Sequence, residues 1–238
     1  MALSSTQIDR LGERLRDGPV TPDDLRLLDE FRRSFASASS EVVRVLRQEF
    51  QLEPTAREAK SSRAIIAKLA RSTTTLSTMQ DIAGCRVVLS NRQTQSLHAQ
   101  ALMARFPHAK LIDRIERPSF GYRALHVVVK LDGRRVEIQL RTVLQHLWAQ
   151  LCEHLADQAG VELKYGGGPQ ELRERLAEWS DAVWLVEQSA GMHHDDLIAR
   201  VVQLAQEREL PALVSEFRQL LAFELARVMG LSPEQEKK

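Results

Sequence analysis

The amino-acid sequence predicts an α+β fold, a mixed sheet flanked by helices with helical extensions at its N- and C-terminal ends. Three observations carry that expectation. Apolar residues recur at helical spacing through the first fifty positions and again from Thr142 onward. Between those stretches the pattern shortens to runs such as Cys85-Arg86-Val87-Val88-Leu89, the signature of a buried strand. Two alternating segments, Ala124 to Leu131 and Arg134 to Arg141, are joined by Asp132-Gly133, a pair suited to the positive φ angles of a type I′ hairpin turn. The organisation expected is an N-terminal helical extension over residues 1–40, a mixed core over 41–160 and a C-terminal helical region over 161–238.

Taken in order, Met1 to Asp17 mixes polar and charged residues with isolated leucines. Thr21-Pro22-Asp23-Asp24 has the chemistry of a helix start, with Thr21 as N-cap, Pro22 in the first turn and two acids at the positive end of the dipole. Leu25, Leu27, Leu28 and Phe31 follow as its apolar stripe. A second helix is expected from Glu41 to Phe50, with Val42, Val43, Val45 and Leu46 mostly inward, and Pro54 ends it. A third, from Ser62 to Arg71, turns Ile65, Ile66 and Leu69 inward and presents Lys60, Lys68 and Arg71 on one basic side. Gln93 to Arg105 reads as a helix and Lys110-Leu111-Ile112 as a short strand. On the second hairpin strand, Val136, Ile138 and Leu140 face one way while Glu137, Gln139 and Arg141 face the other. Helical spacing then runs from Thr142 to about Ala159. Tyr165-Gly166-Gly167-Gly168-Pro169 reads as a flexible connector, and Glu171 to Gln188 and Leu197 to Met229 read as helices.

Lys plus Arg 33 against Asp plus Glu 32 leaves a net charge of +1, so no excess positive field marks a nucleic-acid or membrane binder. Two cysteines, Cys85 and Cys152, provide neither a disulfide framework nor paired zinc knuckles, which points to a reducing, cytoplasmic setting. The first residues lack the apolar core of a secretory signal, and no stretch approaches the roughly 20 apolar residues that span a bilayer, so no membrane partner is expected.

Asp81 precedes the turn Ile82-Ala83-Gly84, and Glu137 stands on the polar face of the hairpin. Two carboxylates on neighbouring strands suit magnesium, a hard cation that takes oxygen ligands and shares its shell with water and phosphate. The plain alternative is a helix-capping Asp and a surface Glu paired with Arg135 or Arg141. Tyr122, after Gly121, can project from a loop to stack on a base or serve as an ordinary turn aromatic. The cations Arg57, Lys60, Arg63, Lys68 and Arg71 suit phosphate, or a solvated helix face. His193-His194-Asp195-Asp196 lacks further ligands and reads as a solvated helix start. The glycine run has no Lys-Ser or Lys-Thr after it and is no P-loop.

Together, Asp81-Ile82-Ala83-Gly84-Cys85-Arg86, Gly121-Tyr122-Arg123-Ala124-Leu125-His126 and Val136-Glu137-Ile138-Gln139-Leu140-Arg141-Thr142 resemble the synthetase domain of the RelA/SpoT family, over about Glu41 to Leu155. Without a hydrolase domain or a large regulatory tail, the chain looks like a small alarmone synthetase. The resemblance implies a nucleotidyltransferase-like sheet and transfer of the β,γ-pyrophosphate of ATP to the 3′-hydroxyl of GDP or GTP, making (p)ppGpp. It implies that Asp81 and Glu137 are catalytic and hold Mg2+, with Glu137 able to receive the acceptor proton. It assigns Lys60, Ser61, Lys68 and Arg71 to the ATP phosphates, Arg86 to the adenine, Tyr122 to the acceptor base, and His126, Gln139, Arg141 and His146 to the acceptor side.

Departures on the ATP side and on the acceptor side qualify the assignment of substrates. The family commonly has arginine where this chain has Glu58, with Arg57 displaced by one, and Asp or Asn where it has His146. After the pair Glu153-His154 the expected lysine is replaced by Leu155. A toxic branch with a similar Gln-His-x-Trp-Ala helix makes adenosine alarmones or modifies the 3′ end of tRNA, and such an enzyme implies an antitoxin partner. A catalytically inactive nucleotide-binding module is the third reading. Leucines and valines between Leu172 and Met229 provide a surface for homo-oligomer formation or for an antitoxin.

Overall fold

The hairpin expected around Asp132-Gly133 forms the middle of the sheet. In the computed structural model, which describes residues 3–57, 59–188, 215 and 219, the elements run α1 (Ser5–Asp17), α2 (Pro22–Arg33), α3 (Ala36–Gln48), β1 (Thr55–Arg57), α4 (Ser62–Arg71) and β2 (Ala83–Leu89). They continue as α5 (Arg92–Arg105), β3 (Lys110–Asp113), β4 (Leu125–Leu131), β5 (Arg134–Thr142), α6 (Val143–Ala159), a 3₁₀ turn (Val161–Tyr165) and α7 (Gln170–Gln188). The strands make one mixed sheet in the order β1-β2-β5-β4-β3, the α+β architecture expected. Asp132 and Gly133 have φ of 48° and 77°, both in the left-handed region that a type I′ turn requires. The expected helix Leu197 to Met229 and the His193-His194-Asp195-Asp196 run lie outside the described residues.

Two compact units are present. The first comprises Met1–Val87, Ala101–Ile112 and His126–Gln139; the second comprises Val88–Gln100, Asp113–Leu125 and the described residues from Leu140 onward. In the first unit, Ile8, Leu11 and Leu15 of α1, at one-turn and two-turn spacing, share a core with Leu28, Phe31, Ile65, Leu69, Leu76 and Ile82. A capping box between Ser4 and Gln7 starts α1. In the second unit α6 buries Leu144, Leu147, Trp148 and Leu151 against Leu163, Leu176, Val183 and Val186. Thr142 caps α6, its hydroxyl accepting from the Gln145 amide.

Three expectations are corrected. Leu25 does not join the α2 stripe and is 42% exposed, because the buried face runs through positions 24, 28 and 31. Asp24 takes the inward position, its carboxylate held 2.8 Å from Arg14 and bonded by Thr21. The helix expected at Glu41 starts earlier, at Ala36, since Ala38 extends the buried stripe of Val42, Val45 and Leu46 by one turn. The glycine segment is no loose connector: Tyr165 closes a 3₁₀ turn, Gly166 caps it in the left-handed region, and the Gly167 amide donates to Glu162 O at 2.9 Å.

Among the described residues, no helix is long and apolar enough to cross a membrane. Gly84 is required by close approach, since a Cβ at that position would lie 2.5 Å from the carbonyl oxygen of Glu137. Because that neighbour is sheet backbone, Gly84→Ala is expected to destabilise the fold by about 1–3 kcal/mol, read as a lower urea midpoint at unchanged slope.

Candidate active site

Asp81 sits at the entrance to β2, where its carboxylate meets two ammonium groups: Lys60 Nζ donates to Oδ2 and Lys68 Nζ to Oδ1, each at 2.7 Å. Helix α4 sets Lys68 one turn beyond Ile65 on the inward side, while Lys60 lies just ahead of the helix and its Ser61 cap. The Lys60 amide donates to Ile82 O at 2.7 Å, which ties the segment after β1 to the residue following Asp81. Burial pushes the Asp81 carboxyl up, but Lys60 and Lys68 outweigh it and bring it down from 3.8 to about 2. It is ionised at neutral pH.

Glu137, in the middle of β5, is no surface residue; it is 8% exposed. Its Oε1 lies 2.8 Å from His126 Nδ1 on β4, and its Oε2 accepts from Gln139 Nε2 at 3.0 Å. Burial raises its carboxyl, yet bonding and charge from His126 and the bond from Gln139 prevail and leave it lowered; the charge of Asp81 opposes them. Glu137 is thus an ionised acceptor, which places the hydrogen of that pair on His126 Nδ1. That the charge of Asp81 acts on Glu137 means the two carboxylates of the first unit lie within electrostatic range of one another.

The other expected residues distribute as follows. Ser61 caps α4, its hydroxyl accepting from the Ala64 amide at 3.3 Å. Arg71 is exposed on the last turn of α4. Arg86 is half-buried on β2, where it pairs in register with Thr55; Arg57 pairs with Gly84 two residues along. In the second unit Arg141 is buried beside Tyr122, with Nε 3.2 Å from the phenol oxygen and the guanidinium carbon 5.0 Å from the ring centre. His146 is half-buried in the first turn of α6.

Two arginines that sequence reasoning passed over hold the loops carrying these groups. Arg32 of α2 donates through Nε to Lys60 O at 2.7 Å and through Nη2 to Ala59 O at 3.2 Å, while Nη1 reaches Asp29 and Ser62. A cavity of about 320 Å³ opens beside it, bordered by Phe35, Ser39, Ala59 and Ala83. Arg123 is buried next to Tyr122 and anchors its loop to α7. In sequence, Arg32 is one of a pair of ordinary basic residues in a last helical turn; only its distance from Lys60 distinguishes it. Arg123 carries a signal, lying inside a recognised motif two residues after Gly121.

Residues 57–159 match the family described as the region found in RelA / SpoT proteins. An uncharacterized protein of Mycobacterium tuberculosis is 37% identical over 177 residues, covering 71% of this chain and 64% of its own length. The chain therefore spans less than two thirds of that relative. A probable chloroplastic GTP diphosphokinase of Arabidopsis thaliana is 35% identical over 96 residues, 38% of this chain and 13% of the plant protein. Among solved structures, small alarmone synthetase 1 of Bacillus subtilis bound to its product pppGpp is similar with a TM-score of 0.54 and 23% identity, covering 76% of this chain and 99% of that one. A Streptococcus mutans structure has a TM-score of 0.50 and 24% identity, covering 72% and 97%. These likenesses establish the shared fold.

Because the folded Asp81 carboxyl titrates at about 2 rather than 3.8, its pairing stabilises the protein above the ordinary value and is lost as the pH falls toward 2. In magnesium-free buffer, the urea midpoint of the native chain should fall as the pH is lowered across that window. Asp81→Asn should flatten the slope there, and an unchanged slope would contradict the pairing.

Proposed function

From the match of residues 57–159 to the region found in RelA / SpoT proteins, we propose that the protein is an ATP-dependent pyrophosphokinase of the small-alarmone-synthetase type. It transfers the β,γ-pyrophosphate of ATP to the 3′-hydroxyl of GDP or GTP. The observation that supports this most directly is the pair of ionised carboxylates, Asp81 and Glu137, in one unit with two lysines on the first of them.

The acceptor O3′ attacks the β-phosphorus, the bond to the bridging oxygen of the α-phosphate breaks, and AMP leaves. A pyrophosphate group with several negative charges has to be held in line, so positioning and electrostatics dominate this chemistry. Lys60 and Lys68 are the donors for the ATP phosphates, able to exchange the Asp81 carboxylate for phosphate oxygens as the nucleotide enters. Arg86 lies along the adenine, and Arg57 is the second basic residue assigned there, next to Glu58. Arg71 and Ser61 are available at the two ends of α4.

The donor set suits Mg2+: two ionised oxygen ligands that repel one another leave the remaining shell to water and phosphate. Bound there, Mg2+ would neutralise the phosphate charge and orient the transferred group. A carboxyl held below its ordinary value is a weak base, so Glu137 would serve first to hold Mg2+ and would take up the acceptor proton only as the hydroxyl's acidity rises in the transition state. His126 and Gln139 keep it oriented. On the acceptor side Tyr122 stacks on the base, with Arg141 bracing its ring and His146 beside the same helix start.

The test is incubation of the full chain with Mg2+ and γ-labelled ATP, offering GDP, GTP, ADP, AMP or deacylated tRNA separately. Label on GDP or GTP is expected; label confined to an adenosine nucleotide or to tRNA would reassign the acceptor, and transfer to none would overturn the reading. Asp81→Asn and Glu137→Gln should each lower turnover roughly 10²–10³-fold, as losing a charge-stabilising group does. Tyr122→Ala should raise the acceptor KM about tenfold while leaving that for ATP in place, the loss of one base stack.

A further inference from the structure

We infer that Ser180 and Asp181 of α7 are positioning residues for the acceptor side, acting through Gly121 and Arg123 to hold Tyr122; the inference rests on the pyrophosphokinase reading above. Tyr122 stands in a loop that cannot hold its shape by local bonds alone. Phe120 and Gly121 both have positive φ, 53° and 84°, and the bridge between Ser119 and Tyr122 is the loop's own backbone pairing. Phe120, as a non-glycine residue in that region, adopts a costly conformation that surrounding structure must impose.

Helix α7 supplies that structure on both sides of Tyr122. The Ser180 hydroxyl donates to Gly121 O at 2.5 Å and accepts from Arg123 Nε at 2.9 Å, so one buried side chain ties the residue before the tyrosine to the residue after it. Arg123 Nη2 donates to Asp181 at 2.7 Å, Nη1 donates to Ile115 O, and the guanidinium lies 5.9 Å from the Trp184 ring. A planar fork with donors in fixed directions is needed for this set, which lysine cannot reproduce.

The helix that holds the loop is itself anchored on α6. Trp148 Nε1 donates to Leu176 O at 2.9 Å, and Glu187 accepts from Thr142 and Gln145. Trp148 also closes the space over Gly121, where a Cβ would lie 2.8 Å from its ring. Serine at position 180 is a poor choice for the interior of a helix on propensity grounds. Its two bonds to the tyrosine loop give a physical reason for finding it there.

The experiment compares the full-length chain with Ser180→Ala and with Asp181→Asn, the latter at a side chain 70% exposed and so tolerant of change. Hydrogen exchange at the Tyr122 amide and separate KM values for ATP and acceptor are measured. Loss of a charge-assisted bond predicts roughly tenfold faster exchange and roughly tenfold higher acceptor KM for Ser180→Ala, with ATP KM within about twofold; Asp181→Asn should move both in the same direction by about threefold. Arg123→Lys should reproduce the Ser180→Ala effect rather than preserve native behaviour. Unchanged exchange in a variant that melts normally would overturn the inference, as would equal rises in both KM values. If the native chain transfers to no acceptor, the pyrophosphokinase reading fails and the exchange rates alone decide whether α7 holds the loop.

Discussion

The first unit is organised around keeping one carboxylate charged away from bulk water. Asp81 is only 20% exposed, and ionisation there requires compensation at close range, which Lys60 and Lys68 provide on separate oxygens. That requirement fixes where α4 begins, since Lys68 must arrive from the helix while Lys60 arrives from the chain before it. The backbone bond from Lys60 to Ile82 and the Arg32 fork on Ala59 and Lys60 keep the approach from drifting. Helices α1 and α2 accordingly share the core that supports the charged site.

Strand β5 distributes the chemistry. With Val136, Ile138 and Leu140 fully buried, the alternate positions carry Glu137, Gln139 and Arg141, and two of these are buried as well. A strand covered on both faces can keep polar side chains only if each finds a partner. Glu137 finds His126 and Gln139; Arg141 finds Tyr122. A carboxylate whose oxygens are already directed, and a tyrosine whose ring is already braced, are both preorganised groups.

The loop that carries Tyr122 illustrates the opposite economy. Its positive φ angles make it an expensive conformation, and helices of the same unit maintain it, through Ser180 bonded to Gly121 and Arg123 and through the ring of Trp148. Helix α7 thereby has work beyond covering α6. A C-terminal helix that reads in sequence as an apolar packing surface also carries two polar residues aimed at the loop.

Local chemistry was legible in the sequence. Period-two alternation and Asp132-Gly133 determined the hairpin, Thr21 and Thr142 marked helix starts, and the ordered motifs around Asp81, Tyr122 and Glu137 identified the family region. These signals arise from neighbours a few residues apart, so the chain order contains them. The exposure of Leu25, the early start of α3 and the ordered glycine turn were not legible, because each depends on which face a distant element covers or on a bond such as Gly167 to Glu162. Only the tertiary structure decided that Arg32 holds the Lys60 segment, that two lysines share Asp81, and that Ser180 reaches Gly121 across 59 positions. Such pairings have no period and no spacing rule; they exist only once packing has brought together groups that the chain keeps far apart.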